Sequence, residues 1–455
     1  MSMYSINPNT EQIISEFSFL EDDKLVGKIE MSNLAFKSWK MISVKERISL
    51  FQNLKELLFE RKSKFSKLMA DEMGKILPEG EAEIEKCALL CDYYAEVATN
   101  ELAPKIIESS HKKSEVHYCP QGIIFAIMPW NYPFWQVLRF AIPTLISGNV
   151  ALLKHAENVG GCALEIEKLF EDAGFPNGVF QNLFISHSQA ESLIENPLIR
   201  GVTLTGSTGA GRKIASIAGA NIKKSVLELG GADAYIIMED ADLEMTLQKI
   251  TQSRLLNCGQ SCIAAKRFIV DKKIHDEFVQ GLKEFMGAYA FGDPTDANSQ
   301  IGPMARKDLR NALHQQVVKT IEAGAKLELG GEIPSRKGFY YPPTIITEVK
   351  KGMPAYHEEL FGPVATVIKF ENLDEAIEIA NSTNFGLGGA IFSKDEEKAF
   401  DLAVNKIDSG SCFINDFVKS DPRLPFGGVK SSGYGRELSS EGLKEFVNIK
   451  TICLN

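Results

Sequence analysis

From Gly122 onward the chain alternates short apolar runs with segments whose apolar residues return every three or four positions. "GIIFAIM" reads as a buried strand, and a helix follows it with Pro133 in its first turn and Gly148 as its stop. "NVALLK" is the next strand, a helix runs from Gly160 to Gly174, and "VFQNLFI" is a further strand. "GVTLTGS" and a helix from about Gly209 to Ala218 complete the series. Strand and helix in strict alternation predict parallel βαβ units in a doubly wound sheet. Beyond Ala232 a second α/β series opens with "AYIIM" and runs to about Pro425. Ahead of both, residues 22–100 read as helices. Ser43 and Glu46 form a capping-box pattern, Ile48, Phe51, Leu54 and Leu58 keep helical spacing, and a last helix runs from about Glu81 to Ala98. The role of these helices reads as packing. "PKIIESSHKKSEVHY" reads as a polar hairpin and "EFVNIKTICLN" as a closing strand. Exposed strand edges need cover, so both read as a subunit-contact arm, with a solvent-exposed flap as the alternative.

Charge and composition narrow the partners. A net charge of -10 excludes the basic footprint of a nucleic-acid binder, and an acidic substrate would have to meet a locally basic pocket. The most apolar region, Gly122 to Leu153, is broken by Pro129, Pro133, Arg139 and Pro143, which marks a buried core segment and no membrane span. The start "MSMYSINPNTEQ" has no basic segment followed by an apolar run, so a cytosolic, cytoplasmic location with eight reduced cysteines is expected.

The candidate chemistry begins at "LNCGQSCIAAKRF", where Cys258 and Cys262 lie four residues apart. A zinc site needs four ligands, and the seven histidines show no matching cluster, so no metal is expected. A thioredoxin-like pair needs CxxC. Spacing alone leaves two buried thiols as an open alternative. Cys262, however, follows a Gly-Gln turn at the end of a helix from Asp242, which suits a partly exposed, low-pKa nucleophile. In "VLELGGADAYII", Glu228 ends a strand among apolar residues. It is either a functional carboxylate or a surface one. In "MPWNYPFW", Asn131 sits at a strand-to-helix turn, where it could donate to an oxyanion or simply cap the helix. "LTGSTGAGRKIA" has the strand, glycine turn and helix that offer N–H groups to phosphate, but Gly206, Gly209 and Gly211 do not match GxGxxG. The absence of a P-loop and of a GxSxG elbow removes NTPases and α/β-hydrolases from contention.

Together these stretches resemble the aldehyde dehydrogenase superfamily over nearly the whole chain. "LELGG", "GQSC", "PWNYP", "TGSTGAG", "EELFGPV" and "PFGGVKSSGYGRE" all occur in the expected order. "IMPWNYPFWQVLR" and "LLKHAENVGGCA" look most like the bacterial succinate-semialdehyde dehydrogenase branch. The resemblance implies an α/β, aldehyde dehydrogenase-like fold in three parts. These are a Rossmann-like dinucleotide-binding domain (1–102 and 120–230), an α/β catalytic domain (231–428) and a small β oligomerisation arm (103–119 and 429–455) of a homodimer or homotetramer. It makes Cys262 the nucleophile, Glu228 the general base, and Asn131 the oxyanion donor together with the Cys262 N–H. Trp130, Lys154, Glu157, Gly206, Ser207, Gly211, Glu359 and Phe361 fall where the family holds its dinucleotide. NAD is expected and NADP allowed, because Glu157 would accept from a ribose hydroxyl and repel a 2′-phosphate.

The implied reaction is oxidation of an aldehyde through a cysteine thiohemiacetal and thioester. Succinic semialdehyde leads, and another short aldehyde such as glutaric semialdehyde is the alternative. Arg139, on the face it shares with Trp135 and near Tyr132, would hold the substrate carboxylate, with Ser420 and Arg423 on the opposite wall. An internal salt bridge for Arg139 is the competing expectation. A CoA-acylating enzyme is disfavoured by Glu228, a base that this route does not use. A non-catalytic binding protein is disfavoured by the intact Asn131, Glu228 and Cys262, whereas a cofactor-independent cysteine hydrolase would bind no nicotinamide. Cys258 opens the lesser alternative of an oxidative disulfide with Cys262 that shuts the enzyme off, against which stands the geometry of a tight turn.

Overall fold

The computed structural model describes residues 2–455. The alternating series forms a six-stranded sheet. Its order is Gly433–Tyr434, Lys224–Glu228, Ile199–Thr205, Ile123–Met128, Val150–His155 and Phe180–Asn182. Every pairing is parallel except that of Gly433–Tyr434. The first strand in sequence, Ile123–Met128, lies in the interior, with its successors running outward on one side and the later strands on the other. The strand order therefore reverses beside it, and a ligand crevice is expected outside the carboxyl ends there. The turns after Met128 and Thr205 open at this point.

The second α/β series forms a seven-stranded sheet in the order Lys326–Leu329, Thr344–Thr347, Val364–Phe370, Arg267–Asp271, Ala234–Ile237, Gly389–Phe392 and Phe413–Ile414. Only its Lys326 edge is antiparallel. Each large sheet has its own apolar core, one containing Leu229 and the other beginning with Ala234. The catalytic candidates lie where the two meet.

A three-stranded antiparallel sheet joins Lys105–Ile106, Lys113–Pro120 and Val447–Leu454. Segment 429–455 divides: Gly433–Tyr434 returns to pair beside Glu228, and Val447–Leu454 forms the outer strand of the arm. Two elements were not anticipated. Ser2–Ile6 and Ile13–Ser18 form a hairpin, and the helix His187–Glu195 starts at a Ser186–Gln189 capping box. No helix among the described residues is long and apolar enough to cross a membrane.

The N-terminal helices are Asp22–Trp39, Val44–Glu60, Lys62–Met73 and Leu77–Glu101. The Ser43–Glu46 capping box is present. The third helix stops at Gly74, whose φ of +79° suits glycine and where a Cβ would lie 2.7 Å from the Pro303 carbonyl. The fourth starts earlier than expected, with Pro78 in its first turn. It packs on the wholly buried helix Trp135–Ile146, which has no side-chain N-cap of its own. Glu83 of the long helix supplies one. Its Oε1 accepts from the Phe134 and Trp135 N–H groups at 2.9 Å each, where a helix start favours negative charge. Its other oxygen pairs with the fully buried Lys75.

Removing one member of such a pair leaves a buried charge uncompensated. Glu83→Gln is expected to cost about 3–5 kcal/mol of stability, and adding Lys75→Met should recover part of it. Urea unfolding measures both. An unchanged midpoint in the single variant would rule out a structural role for the pair.

Candidate active site

The helix Leu243–Leu255 ends in a short turn in which Asn257 and Cys258 both have φ of 54°. Two consecutive non-glycine residues in the left-handed region are strained and need external support. Glu79 provides it by accepting from the Asn257 N–H at 3.0 Å. The Asn257 amide donates to the Asn131 and Gln260 carbonyls at 2.7 and 3.2 Å. Gln260 Oε1 accepts from the Ala305 N–H at 2.9 Å. Beyond the turn, the Lys266 ammonium donates to the Ser261 and Cys262 carbonyls at 2.9 and 2.6 Å. The backbone of Cys262 is thus anchored on both sides.

Cys258 and Cys262 are both free thiols with separate surroundings. Cys258 is buried in the core of the seven-stranded sheet, and Cys262 packs at the margin of the other core while lining a cavity. The expectation of a low thiol pKa needs correction. Burial pushes the Cys262 thiol up to about 12, and Glu359 and Glu228 add to the rise. Lys266 and Arg139 oppose it without overcoming it.

Asn131 is buried on the turn after Ile123–Met128. Its Nδ2 donates to the Gln260 carbonyl at 3.1 Å, which leaves a second amide hydrogen, and its Oδ1 has no partner. Lys75 holds this turn by donating to the Asn131 carbonyl at 3.0 Å and lying 3.8 Å from the Tyr132 ring centre. Glu228 is buried, not superficial, and neither carboxylate oxygen has a hydrogen-bond partner. Desolvation, followed by the Glu437 charge, holds its pKa well above the usual carboxylate range against the pull of Arg139 and Arg436. A Cβ on Gly427 would come within 2.9 Å of its Oε1.

Cys262 opens into a cavity of about 350 Å³ that also brings together Tyr132, Trp135, Arg139 and Ser420. Arg139 is buried on its wall, and an anion already meets it. Glu437 pairs with the guanidinium, which also lies 4.7 Å from the Phe426 ring centre. The internal salt bridge is therefore present, although Arg139 Nη2 keeps no partner. Arg423 is not brought to the cavity. It is exposed and bound to Asp421 through Nε and Nη2 at 2.8 and 2.6 Å. The two residues before Pro425 turn outward, so proximity in sequence to Ser420 gave a misleading placement.

The long helix, which reads as packing in sequence, contributes Glu79, Glu83 and Lys86 to the same wall. Their spacing of four and three residues, set between apolar positions, is the signal that could have identified them. Desolvation raises the Glu79 pKa to about 7, with Lys75 and the Asn257 N–H opposing the rise.

A second cavity, of about 760 Å³, lies outside the carboxyl ends of the six-stranded sheet at the reversal of strand order. Lys154, Glu157 and Gly206 line it. Ser207 adjoins it and caps the helix Thr208–Ala220 by accepting from the Ala210 N–H. Thr205 Oγ1 is buried there without a partner, and a Cβ on Gly209 would meet open space. An available hydroxyl and a helix N-terminus at a cavity of this size fit a dinucleotide. Gly211 lies inward from the cavity, where a Cβ would come within 2.5 Å of Leu229, so its glycine serves helix-on-sheet packing. Glu359 and Phe361 lie toward Cys262. Glu359 accepts from the Gly231 N–H at 3.0 Å and pairs with Lys266 at 3.3 Å. Phe361 meets Trp130 edge-on at 5.9 Å between ring centres.

Residues 1–452 match the model of the Aldehyde dehydrogenase family. The probable succinate-semialdehyde dehydrogenase (NADP+) of Synechocystis sp. is 44% identical over 454 residues, covering 100% of each chain. The succinate-semialdehyde dehydrogenase (NADP+) of Deinococcus radiodurans is 42% identical, covering 98% of this chain and 94% of its own. The crystal structure of succinic semialdehyde dehydrogenase from Streptococcus pyogenes in complex with NADP+ superposes with a TM-score of 0.97, at 38% identity and 99% coverage of each chain. The chain belongs to the aldehyde dehydrogenase family and is an NAD(P)-dependent aldehyde dehydrogenase.

Proposed function

We propose that the enzyme oxidises succinic semialdehyde to succinate, with NADP+ as the favoured cofactor and NAD+ accepted. The observation that carries this reading is Arg139, a buried cation that lines the cavity opening at Cys262 and whose Nη2 has no hydrogen-bond partner. A buried guanidinium donor gains from a carboxylate oxygen. The names of the relatives point to the same substrate. For the cofactor, Lys154, Arg306 and Lys307 face Glu157 and Asp308 around the larger cavity. Arg306 is engaged by Asp308 and Lys307 by Glu11, whereas Lys154 forms no ion pair among the described residues and is the cation available to a 2′-phosphate. We place the protein in the cytoplasm as a homodimer or homotetramer. Support for assembly comes from the edge strand Val447–Leu454, where Ile449, Ile452 and Leu454 are exposed.

In this mechanism Cys262 Sγ attacks the aldehyde carbon and its proton leaves to a base. Because the resting thiol holds its proton tightly, the attack needs that base, and Glu228 is available to it. Its charge is felt at Cys262, and its own raised pKa makes it a stronger acceptor than an ordinary carboxylate. The Asn131 amide and the Cys262 N–H hold the oxyanion, and losing one such donor costs roughly 10²–10³ in rate. Lys154, Glu157, Gly206, Ser207, Glu359, Phe361 and Trp130 would hold the dinucleotide, which supplies the hydride acceptor when bound. Once Glu228 has passed the thiol proton to solvent, it takes a proton from the water that cleaves the Cys262 thioester.

A panel of aldehydes read with each cofactor tests the assignment. The kcat/KM for succinic semialdehyde should exceed that for butyraldehyde by about tenfold or more, the ordinary value of a charge-assisted contact. It should also exceed that for glutaric semialdehyde, and NADP+ should outperform NAD+. Preference for the five-carbon substrate would move the assignment to glutaric semialdehyde.

Glu228→Gln should slow both the pre-steady-state burst of reduced cofactor and steady turnover, the latter by about 10²-fold or more. A wild-type steady rate would remove Glu228 from hydrolysis. The raised thiol pKa has its own consequence. A thiol is unreactive below its pKa, so iodoacetamide labelling of Cys262 in the cofactor-free protein should climb about tenfold per pH unit from pH 7 to 10. Peptide mass spectrometry follows the site, and a plateau by pH 8 would contradict the buried-thiol assignment.

A further inference from the structure

The cavity at Cys262 contains a cation that neither the chemistry nor the fold has used. Lys86 lies two turns along the long helix from Glu79, so the two side chains share one face. Glu79 binds the Asn257 N–H and marks the catalytic end of the cavity. Lys86 stands further along, with its ammonium 4.2 Å from the Trp135 ring centre and its Nζ donating to Ser420 Oγ at 2.6 Å. Of the carboxylates near it, Glu83 is engaged by Lys75 and Asp421 by Arg423. Among the described residues Lys86 forms no ion pair, whereas Arg139, which lines the same cavity, already has Glu437. An ammonium facing an apolar cavity without a counter-ion is costly unless a ligand supplies one.

We propose that Lys86, together with Ser420, binds the distal carboxylate of the aldehyde substrate and determines the preference for carboxylated over neutral aldehydes. This inference rests on the proposed succinic semialdehyde reading and assigns its charge recognition to a specific residue. Three donor sites on Lys86 allow one hydrogen bond to Ser420 and others to a carboxylate. Arg139, whose charge Glu437 already meets, would then play the lesser part in holding the carboxylate.

Desolvation, helped by the Arg139 charge and opposed by Cys87, Glu83 and Asp421, lowers the Lys86 pKa to about 8. The groups facing it are Glu79, Glu83 and Cys87 on its own helix, Arg139 on the Trp135 helix, and Lys419 and Asp421 on the Ser420 loop. Cys262 faces it from the catalytic turn. The Asp421 carboxyl is held down to about 2 by Arg423, and burial keeps the Cys87 thiol well above its usual range. Only Glu79, at about 7, titrates just below Lys86. The sign follows. Lys86 is charged below about 8, so carboxylate recognition is full there and is lost as pH rises through that value. Glu79 is already ionised at pH 8, so a change above pH 8 reports Lys86.

The readout is the ratio of kcat/KM for succinic semialdehyde to that for butyraldehyde, between pH 7 and 9.5. Lys86→Met keeps the length of the stem and removes the charge. It should lower the ratio at pH 7 by about tenfold. In the wild type the ratio should fall by a similar factor from pH 8 to 9.5. Lys86→Arg should keep it flat over that range, since a guanidinium stays charged. A wild-type preference that survives Lys86→Met unchanged, or a ratio independent of pH above 8, overturns the role of Lys86 and leaves the substrate assignment standing. A wild-type ratio near one at pH 7 overturns both. The wild-type pH series and Lys86→Arg decide the question if the methionine variant does not fold.

Discussion

The buried pair of Lys75 and Glu83 fixes more of this molecule than any other contact. Glu83 closes the start of the Trp135 helix, whose backbone donors would otherwise be orphaned inside the protein. Lys75 holds the Asn131 carbonyl and sits over Tyr132. The turn carrying the oxyanion candidate is therefore set by charges on a different element. Asn257 takes hold of the same Asn131 carbonyl from the catalytic turn. A displacement of the long helix would reach Asn131 and Cys262 together. Two ions buried in this way gain little net stability over an apolar pair. What they provide is one orientation for a turn that must present an amide to within hydrogen-bond length of a reacting oxygen.

The second constraint is electrostatic. Glu228 and Glu437 are both buried, and Arg139 is the cation that pairs directly with one and is felt by the other. Arg436 adds a further pull on Glu228, but desolvation holds both carboxylates above their ordinary range, so they accept a proton readily. Burial keeps the Cys262 thiol protonated at rest, against the pull of Lys266 and Arg139. A nucleophile of this kind is quiet until a base and a substrate are in place, and it resists adventitious oxidation, which follows thiolate character. For the same reason, deleting Arg139 would strand Glu437 as well as loosen substrate. Its variants report on the fold and on the site at once.

The doubly wound sheet was legible because its strands are unbroken apolar runs separated by glycine-marked turns. The turns after Met128, Thr205, Glu228 and Leu255 carried the chemical candidates because backbone turns at strand and helix ends are where polar groups can face a crevice. Less legible was whatever depends on partners distant in sequence. Nothing around Arg139 announces Glu437, and nothing around Arg423 shows that Asp421 turns it outward. The thiol pKa was misjudged from a local turn, since desolvation is a property of the assembled cavity. The N-terminal helices were read as packing because an amphipathic helix looks the same whether its polar face meets water or a cavity. On the long helix the charged face meets the cavity.

Steric contacts among the sequence motifs explain why they act as a set. A Cβ on Gly230 would lie 2.3 Å from Glu359 Oε2, and one on Gly231 would lie 2.6 Å from the Cys262 carbonyl. The two glycines after Glu228 are thus the clearance through which "EELFGPV" and the catalytic loop reach the end of the base-bearing strand. Gly259, at φ of +69°, faces the Gly362 carbonyl, where a Cβ would come within 2.3 Å, so the loop before Cys262 packs on the segment that follows Phe361. Gly427, beside the Glu228 carboxylate, completes the ring of close approaches. Four stretches of the chain are each glycine-bearing because backbones from both cores approach one another closely around Glu228 and the catalytic loop. Burial at this convergence raises the pKa values of Cys262, Glu228 and Glu79 and lowers that of Lys86.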